Sequence, residues 1–205
     1  MSESNKPGIF RFLTDERKNR IREVLEKRSS DLTLVMENIN DPHNFSAVLR
    51  SCDAVGILQV YLVYHSGQKY PAPGLGSSAS AKKWIDIRKF SSIQECYEVL
   101  RSEGKKIYTT HMSKESQSLY DLDLTGPIAL VFGNEHTGVS ESAYTLSDGN
   151  FIIPQVGMVK SLNISVACAV SLFEAYRQRK NAGLYDKPQL SEERIQKYMQ
   201  DWSNR

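Results

Sequence analysis

Short apolar runs alternate with stretches of helical character along nearly the whole chain, and this alternation restricts the fold more than any other feature. Residues 32–39, 58–64, 84–87, 106–110, 128–132 and 151–153 read as strands. Residues 14–28, 45–55, 93–102, 163–179 and 192–202 read as helices. Strands that alternate with helices predict an α/β fold with a mainly parallel sheet. The first helix opens on Asp15 and Glu16 and closes on Lys27 and Arg28, the order that suits the helix dipole. Gly56 stands where a C-cap glycine ends the second. Residues 65–82, rich in Gly, Ser and Pro, predict a long loop. The loop after the first strand, Asn40-Asp41-Pro42-His43-Asn44, has no glycine, and G-x-G-x-x-G is absent. That argues against an ordinary dinucleotide-binding domain. The glycines come late, at Gly133 and Gly157, so a cofactor site is expected in the C-terminal half.

Of 205 residues, 40% are hydrophobic and 24% charged, which excludes wholesale disorder and coiled coil. No apolar run is long enough to span a bilayer, and the first thirty residues lack an apolar signal core. Cys52, Cys96 and Cys168 stand far apart without a C-x-x-C pair, the usage expected of a reducing cytoplasm. His43, His65, His111 and His136 lack metal-ligand spacing, so no metal is expected. Net charge is only +2, so a nucleic-acid partner has to show as local clustering. Bases do cluster in residues 1–30, among them Lys6, Arg11, Arg17, Arg20 and Arg28. They cluster again at Lys82, Lys83, Arg88 and Lys89, and at Arg177, Arg179, Lys180 and Lys187. Three such patches on a near-neutral chain point toward a phosphate backbone.

Three segments carry a more specific signal. They are Glu37-Asn38-Ile39-Asn40-Asp41-Pro42-His43-Asn44-Phe45-Ser46-Ala47-Val48-Leu49-Arg50, then Val131-Phe132-Gly133-Asn134-Glu135-His136-Thr137-Gly138-Val139-Ser140, then Ile153-Pro154-Gln155-Val156-Gly157-Met158-Val159-Lys160-Ser161-Leu162-Asn163-Ile164-Ser165. In this order they resemble the three motifs of the SpoU family of RNA ribose 2′-O-methyltransferases, within the SPOUT superfamily. The likeness runs from about residue 14 to the end. The basic first helix, Arg177-Gln178-Arg179 and Ala182-Gly183-Leu184-Tyr185-Asp186 resemble the TrmH branch, the tRNA guanosine 2′-O-methyltransferases. Departures are Ser80-Ala81 ahead of Trp84, where the family has Gly-Ser, and Asn134 and His136 in the second motif. No separate N-terminal RNA-binding domain precedes the motifs, which sets the expectation against the ribosomal-RNA branches that carry one.

The resemblance implies a parallel-sheet fold whose C-terminal segment threads a loop as a trefoil knot, a topology that pattern reasoning alone never proposes. Residues 31–181 would form the methyltransferase domain, with a basic helical extension at 1–30 and a helical one at 182–205. The cofactor would be S-adenosylmethionine. The protein would be a cytoplasmic homodimer, each active site completed by the partner. The substrate would be tRNA, methylated on the ribose of the eighteenth nucleotide, a D-loop guanosine. The alternatives are a different tRNA or ribosomal-RNA position, or a non-catalytic knotted RNA-binding protein. The joint presence of Asn44, Arg50, Glu135, Ser161 and Asn163 argues against the last.

Methyl transfer from a sulfonium needs in-line approach, exclusion of water and help in removing the hydroxyl proton. Arg50 matches the arginine to which the family assigns the role of base, but a guanidinium is effectively always protonated. Binding a substrate phosphate and stabilising the developing alkoxide suits it better. Asn44, six residues earlier on the same helix, is expected either to cap that helix or to orient Arg50 or the ribose. Glu135 is expected to anchor Arg50 or a neighbouring loop. Ser161 and Asn163, at the start of the last core helix, are candidates for capping it, for holding the cofactor pocket or for meeting the substrate. Thr110, Gly133, Ile153 and Leu162 match the family's cofactor contacts, with Met158 a further candidate, and Gly133 and Gly157 would allow close backbone approach. The apolar helix at 164–173 is expected to be core or dimer interface. Arg17, Arg20, Arg28, His43, Arg177 and Arg179 are the candidate RNA contacts.

Overall fold

The computed structural model describes residues 14–65 and 81–205. The bases Lys6 and Arg11 and nearly all of the expected 65–82 loop lie outside the described residues. Among the described residues, seven strands form one parallel sheet: β1 (Leu32–Glu37), β2 (Gln59–Val63), β3 (Asp86–Phe90), β4 (Lys106–Thr110), β5 (Gln117–Ser118), β6 (Ile128–Phe132) and β7 (Gly149–Ile152). Their order is β3-β2-β1-β6-β4-β7-β5. Every pairing is parallel. Six helices accompany them: α1 (Asp15–Glu26), α2 (Pro42–Ala54), α3 (Ile93–Ser102), α4 (Glu141–Thr145), α5 (Ile164–Asn181) and α6 (Glu192–Ser203).

Strands β1 and β6 are buried at every residue, as strands covered on both faces must be. Leu34 and Met36 of β1 face one core, shared with Phe45, Val48, Leu49 and Cys52 of α2 and with Cys168, Leu172 and Ala175 of α5. Val35, one residue over, faces the opposite core, built on Ile93, Cys96, Tyr97 and Leu100 of α3. Helices α1 and α6 share a third cluster, Ile21, Leu25, Ile195 and Trp202, and Trp202 meets Trp84 edge-on at 5.2 Å.

Four elements differ most from the sequence expectation. Helix α2 starts at Pro42 rather than Phe45. Asp41 caps it by accepting from the His43 N–H at 2.8 Å, and proline at the first position needs no intrahelical partner. Asn44 is therefore not the cap and its side chain is free for other work. Trp84 ends a 3-10 turn, Ala81–Trp84, and the strand follows at Asp86–Phe90. The two-residue strand β5 and the five-residue helix α4 were not expected.

The chain runs β1, β2, β3 outward to one edge, crosses to β4, and returns as β6 between β1 and β4. The carboxyl ends of β1, β6 and β4 therefore meet where the strand order reverses. Open α/β sheets place ligands at such a crevice.

Candidate active site

Three side chains from the three motif segments meet above that crevice. Asn44, near the start of α2, donates from Nδ2 to Glu135 Oε1 at 3.0 Å. Its Oδ1 accepts from Asn163 Nδ2 at 3.1 Å. Asn163 caps α5, its Oδ1 accepting from the Ser165 N–H at 2.8 Å and the Ser165 hydroxyl at 2.6 Å. The Glu135 side chain, two amides and a hydroxyl thus form one continuous chain of hydrogen bonds. Arg50 stands exposed on α2 and, among the described residues, is not in this chain. Glu135 holds Asn44 rather than Arg50, which leaves the guanidinium available. Ser161 is exposed two residues before Asn163, and the cap is Asn163.

The loop carrying Glu135 is anchored by residues to which the sequence assigned no role. Glu37, 1% exposed at the end of β1, accepts from the Ser140 N–H at 2.8 Å and pairs with His65 Nε2 at 3.2 Å. Asn38 follows at φ 55°, a conformation asparagine tolerates, and its carbonyl accepts from Asn134 Nδ2 at 2.7 Å. The legible signal was a carboxylate closing the apolar run Leu32–Glu37. Gly133 has a structural reason of its own. A Cβ there would stand 2.1 Å from the Gly138 carbonyl carbon. The close approach at Gly133 is thus to the Asn134–Gly138 turn, closed by backbone hydrogen bonds of 2.9 and 2.8 Å. Gly157 has open space around it.

The other cofactor candidates gather at the same end of the sheet. Thr110 ends β4 beside Phe151 of β7, its hydroxyl donating to the Val131 carbonyl at 3.2 Å. Ile153 and Leu162 are half-buried on either side of an exposed segment, and Met158 within it is fully exposed. Among the described residues the backbone groups of 154–162 make no hydrogen bond. The N–H and C=O groups of this exposed run, between two half-buried aliphatic side chains, stand open to water or to a ligand. The three cysteines are buried. Burial pushes the Cys52 and Cys168 thiols well up and Cys96 to about 12.

Two of the RNA-contact candidates are corrected by the structure. Arg28 and Arg179 are fully buried and cannot meet a phosphate backbone. Arg28 pairs with Asp53, donates to the Ile57 carbonyl at 2.8 Å, and lies 5.3 Å from the Trp202 ring. Arg179 pairs with Asp31 and donates to Ser29 Oγ at 3.0 Å and the Leu124 carbonyl at 3.0 Å, clamping the end of α5 to the approaches of β1 and β6. Arg17, Arg20 and His43 are exposed. Arg177 is exposed too and forks onto Glu174 at 2.9 and 2.8 Å. That fork holds the Glu174 carboxyl below its ordinary range.

Residues 31–173 match the model of the SpoU rRNA Methylase family. The chain is 45% identical over 194 residues to a tRNA (guanosine(18)-2′-O)-methyltransferase of Thermus thermophilus, covering 94% of this chain and 98% of that protein. It is 39% identical over 166 residues to the Escherichia coli protein of the same name, covering 81% and 72%. Among solved structures it is similar to the Aquifex aeolicus TrmH/SpoU tRNA modifying enzyme, with TM-score 0.86 and 41% identity over 92% of this chain and 95% of that one.

Proposed function

Because this chain belongs to the SpoU rRNA Methylase family, we propose that it transfers a methyl group from S-adenosylmethionine to the ribose 2′-hydroxyl of the D-loop guanosine at position 18 of tRNA. The observation that carries this is the 45% identity to a guanosine-18 enzyme of which the chain covers 98%. The Glu135–Asn44–Asn163 chain supports it by tying together the three segments that the reaction needs.

S-adenosylmethionine, when bound, supplies a methyl group already activated on a sulfonium. Thr110, Gly133, Ile153, Met158 and Leu162 would hold it. Arg50 binds a substrate phosphate and stabilises the 2′-oxygen as its charge develops. The 2′-proton passes to a substrate phosphate or a neighbouring group, since the guanidinium keeps its own protons. Asn44, held from both sides, and Ser161 position the ribose. Labelled cofactor with unmodified tRNA tests the assignment: label enters tRNA and not ribosomal-RNA fragments, and label in ribosomal RNA alone contradicts it.

The same account includes a trefoil knot formed by the C-terminal segment, a catalytic domain over 31–181, extensions at 1–30 and 182–205, and a cytoplasmic location. No helix among the described residues is long and apolar enough to cross a membrane. It also includes a homodimer, supported by exposed Val156, Met158, Val159, Val166 and Phe173 on and before α5. Sedimentation of the RNA-free protein gives a dimer on this account; a fully active monomer contradicts it. Arg17, Arg20, His43 and Arg177 contact the RNA. Arg177→Ala weakens tRNA binding and lowers the slope of log K against log salt by about 1, with cofactor affinity unchanged. An unaltered slope with lost cofactor binding marks Arg177 as structural instead.

A further inference from the structure

A second recess lies at the opposite end of the α2/α5 layer. A cavity of about 590 Å³ opens between α1, the end of α2, the end of α5 and the turn that follows. Its Tyr176 is about 20 Å along α5 from Asn163, at 1.5 Å rise per residue. Bases from both ends of the chain line it, Arg20 and Lys27 from one and Lys180 from the other. The rings of Tyr176 and Tyr185 also line it, 5.0 Å apart and inclined at 50°. Tyr185 is fixed, because its hydroxyl donates to the Val55 carbonyl at 3.0 Å. Gly56, at φ 83°, brings the backbone turn against that ring, and a Cβ there would stand 2.6 Å from the Lys27 carbonyl. The Lys180 ammonium lies 6.0 Å from the centre of the Tyr176 ring. Of the acids on the wall, Glu23 is paired with Arg20 at 3.3 Å and Asp53 with Arg28, which leaves Asp186 as an acceptor. Among the described residues Lys27 and Lys180 make no ion pair.

We propose that this cavity takes one unstacked nucleotide of the substrate RNA other than the methylated one, its base against Tyr176 and its phosphate between Lys27 and Lys180. Aromatic faces flanked by cations are the combination that grips single-stranded nucleic acid. The volume suits one small group rather than a duplex. Asp186 offers an acceptor to the amino edge of a base. The inference rests on tRNA being the substrate and adds a second point of grip, remote from the chemistry, that senses a folded tRNA.

The test compares Tyr176→Leu with Tyr176→Phe, using full-length unmodified tRNA in gel-shift and steady-state assays. Leu, which fills space without a ring, raises both Kd and KM for tRNA roughly 5- to 100-fold while kcat holds. Phe, which keeps the ring, restores wild-type values. Equal Kd and KM in the Leu variant and wild type overturn the proposal. So does a Leu variant that loses thermal stability or cofactor binding in parallel, and so does Tyr176-dependent binding of a free nucleoside monophosphate with tRNA binding unchanged. Wild-type protein that binds tRNA but methylates none of it contradicts the substrate assignment instead, and the gel shifts then still decide the cavity.

Discussion

Arg50→Ala lowers single-turnover methyl transfer at saturating tRNA by about 10²- to 10³-fold, the loss seen when a preorganised oxyanion donor is removed. Cofactor affinity and the unfolding midpoint stay near wild type, because Arg50 is exposed on α2. Arg50→Lys separates two roles. Lysine keeps a positive charge but not the planar fork that grips phosphate and alkoxide together. An electrostatic Arg50 therefore leaves the Lys variant only a small part of the rate, with no ionisation in its pH profile that belongs to residue 50. A residue acting as base gives the reverse: the Lys variant's rate climbs with pH as its amine deprotonates and approaches or exceeds wild type in alkali. Single-turnover rates against pH for both enzymes distinguish the two.

Arg179→Ala destabilises the fold by about 3 kcal/mol, toward the low end for breaking a buried ion pair because Asp31 keeps some access to water. The substitution strips the donor from Asp31, from Ser29 and from the Leu124 carbonyl together. Denaturant unfolding shows a lower midpoint, and tRNA affinity per folded molecule stays unchanged. A wild-type midpoint with weakened tRNA binding contradicts the structural role. Arg177→Ala, two residues away on the exposed side, weakens tRNA binding and lowers the midpoint less, because Gln178 still donates to the Glu174 carboxylate that it leaves behind.

The contrast between these neighbours marks the limit of what was legible in the chain. Residues 93–102, 106–110 and 128–132 have the bounds that apolar periodicity and capping residues predict. Strand β5 was not legible because two polar residues, Gln117 and Ser118, pair by backbone alone with β7 at the sheet edge. Helix α2 starts three residues before the expected Phe45 because Asp41-Pro42, which reads as loop by composition, is itself a helix-start signal. Arg28 and Arg179 look like their exposed neighbours, since only packing reveals which basic side chains fold inward. Asn44, Glu135 and Asn163 were named from the motifs, whereas their bonding to one another depends on the strand order that brings β1, β6 and α5 together. A carboxylate closing the Leu32–Glu37 run marks Glu37 out in the sequence, but the groups it holds, the Ser140 N–H and His65, come to it only through the fold.

The most direct measurement offers the protein two tRNAs that differ in one atom, one with guanosine and one with 2′-deoxyguanosine at position 18. Transfer of label from S-adenosylmethionine is then followed and the modified nucleotide mapped. The account predicts one methyl group per native tRNA, on the ribose of nucleotide 18, and none on the deoxy substrate at equal binding. Label on the deoxy substrate, or on any other nucleotide of the native one, contradicts it.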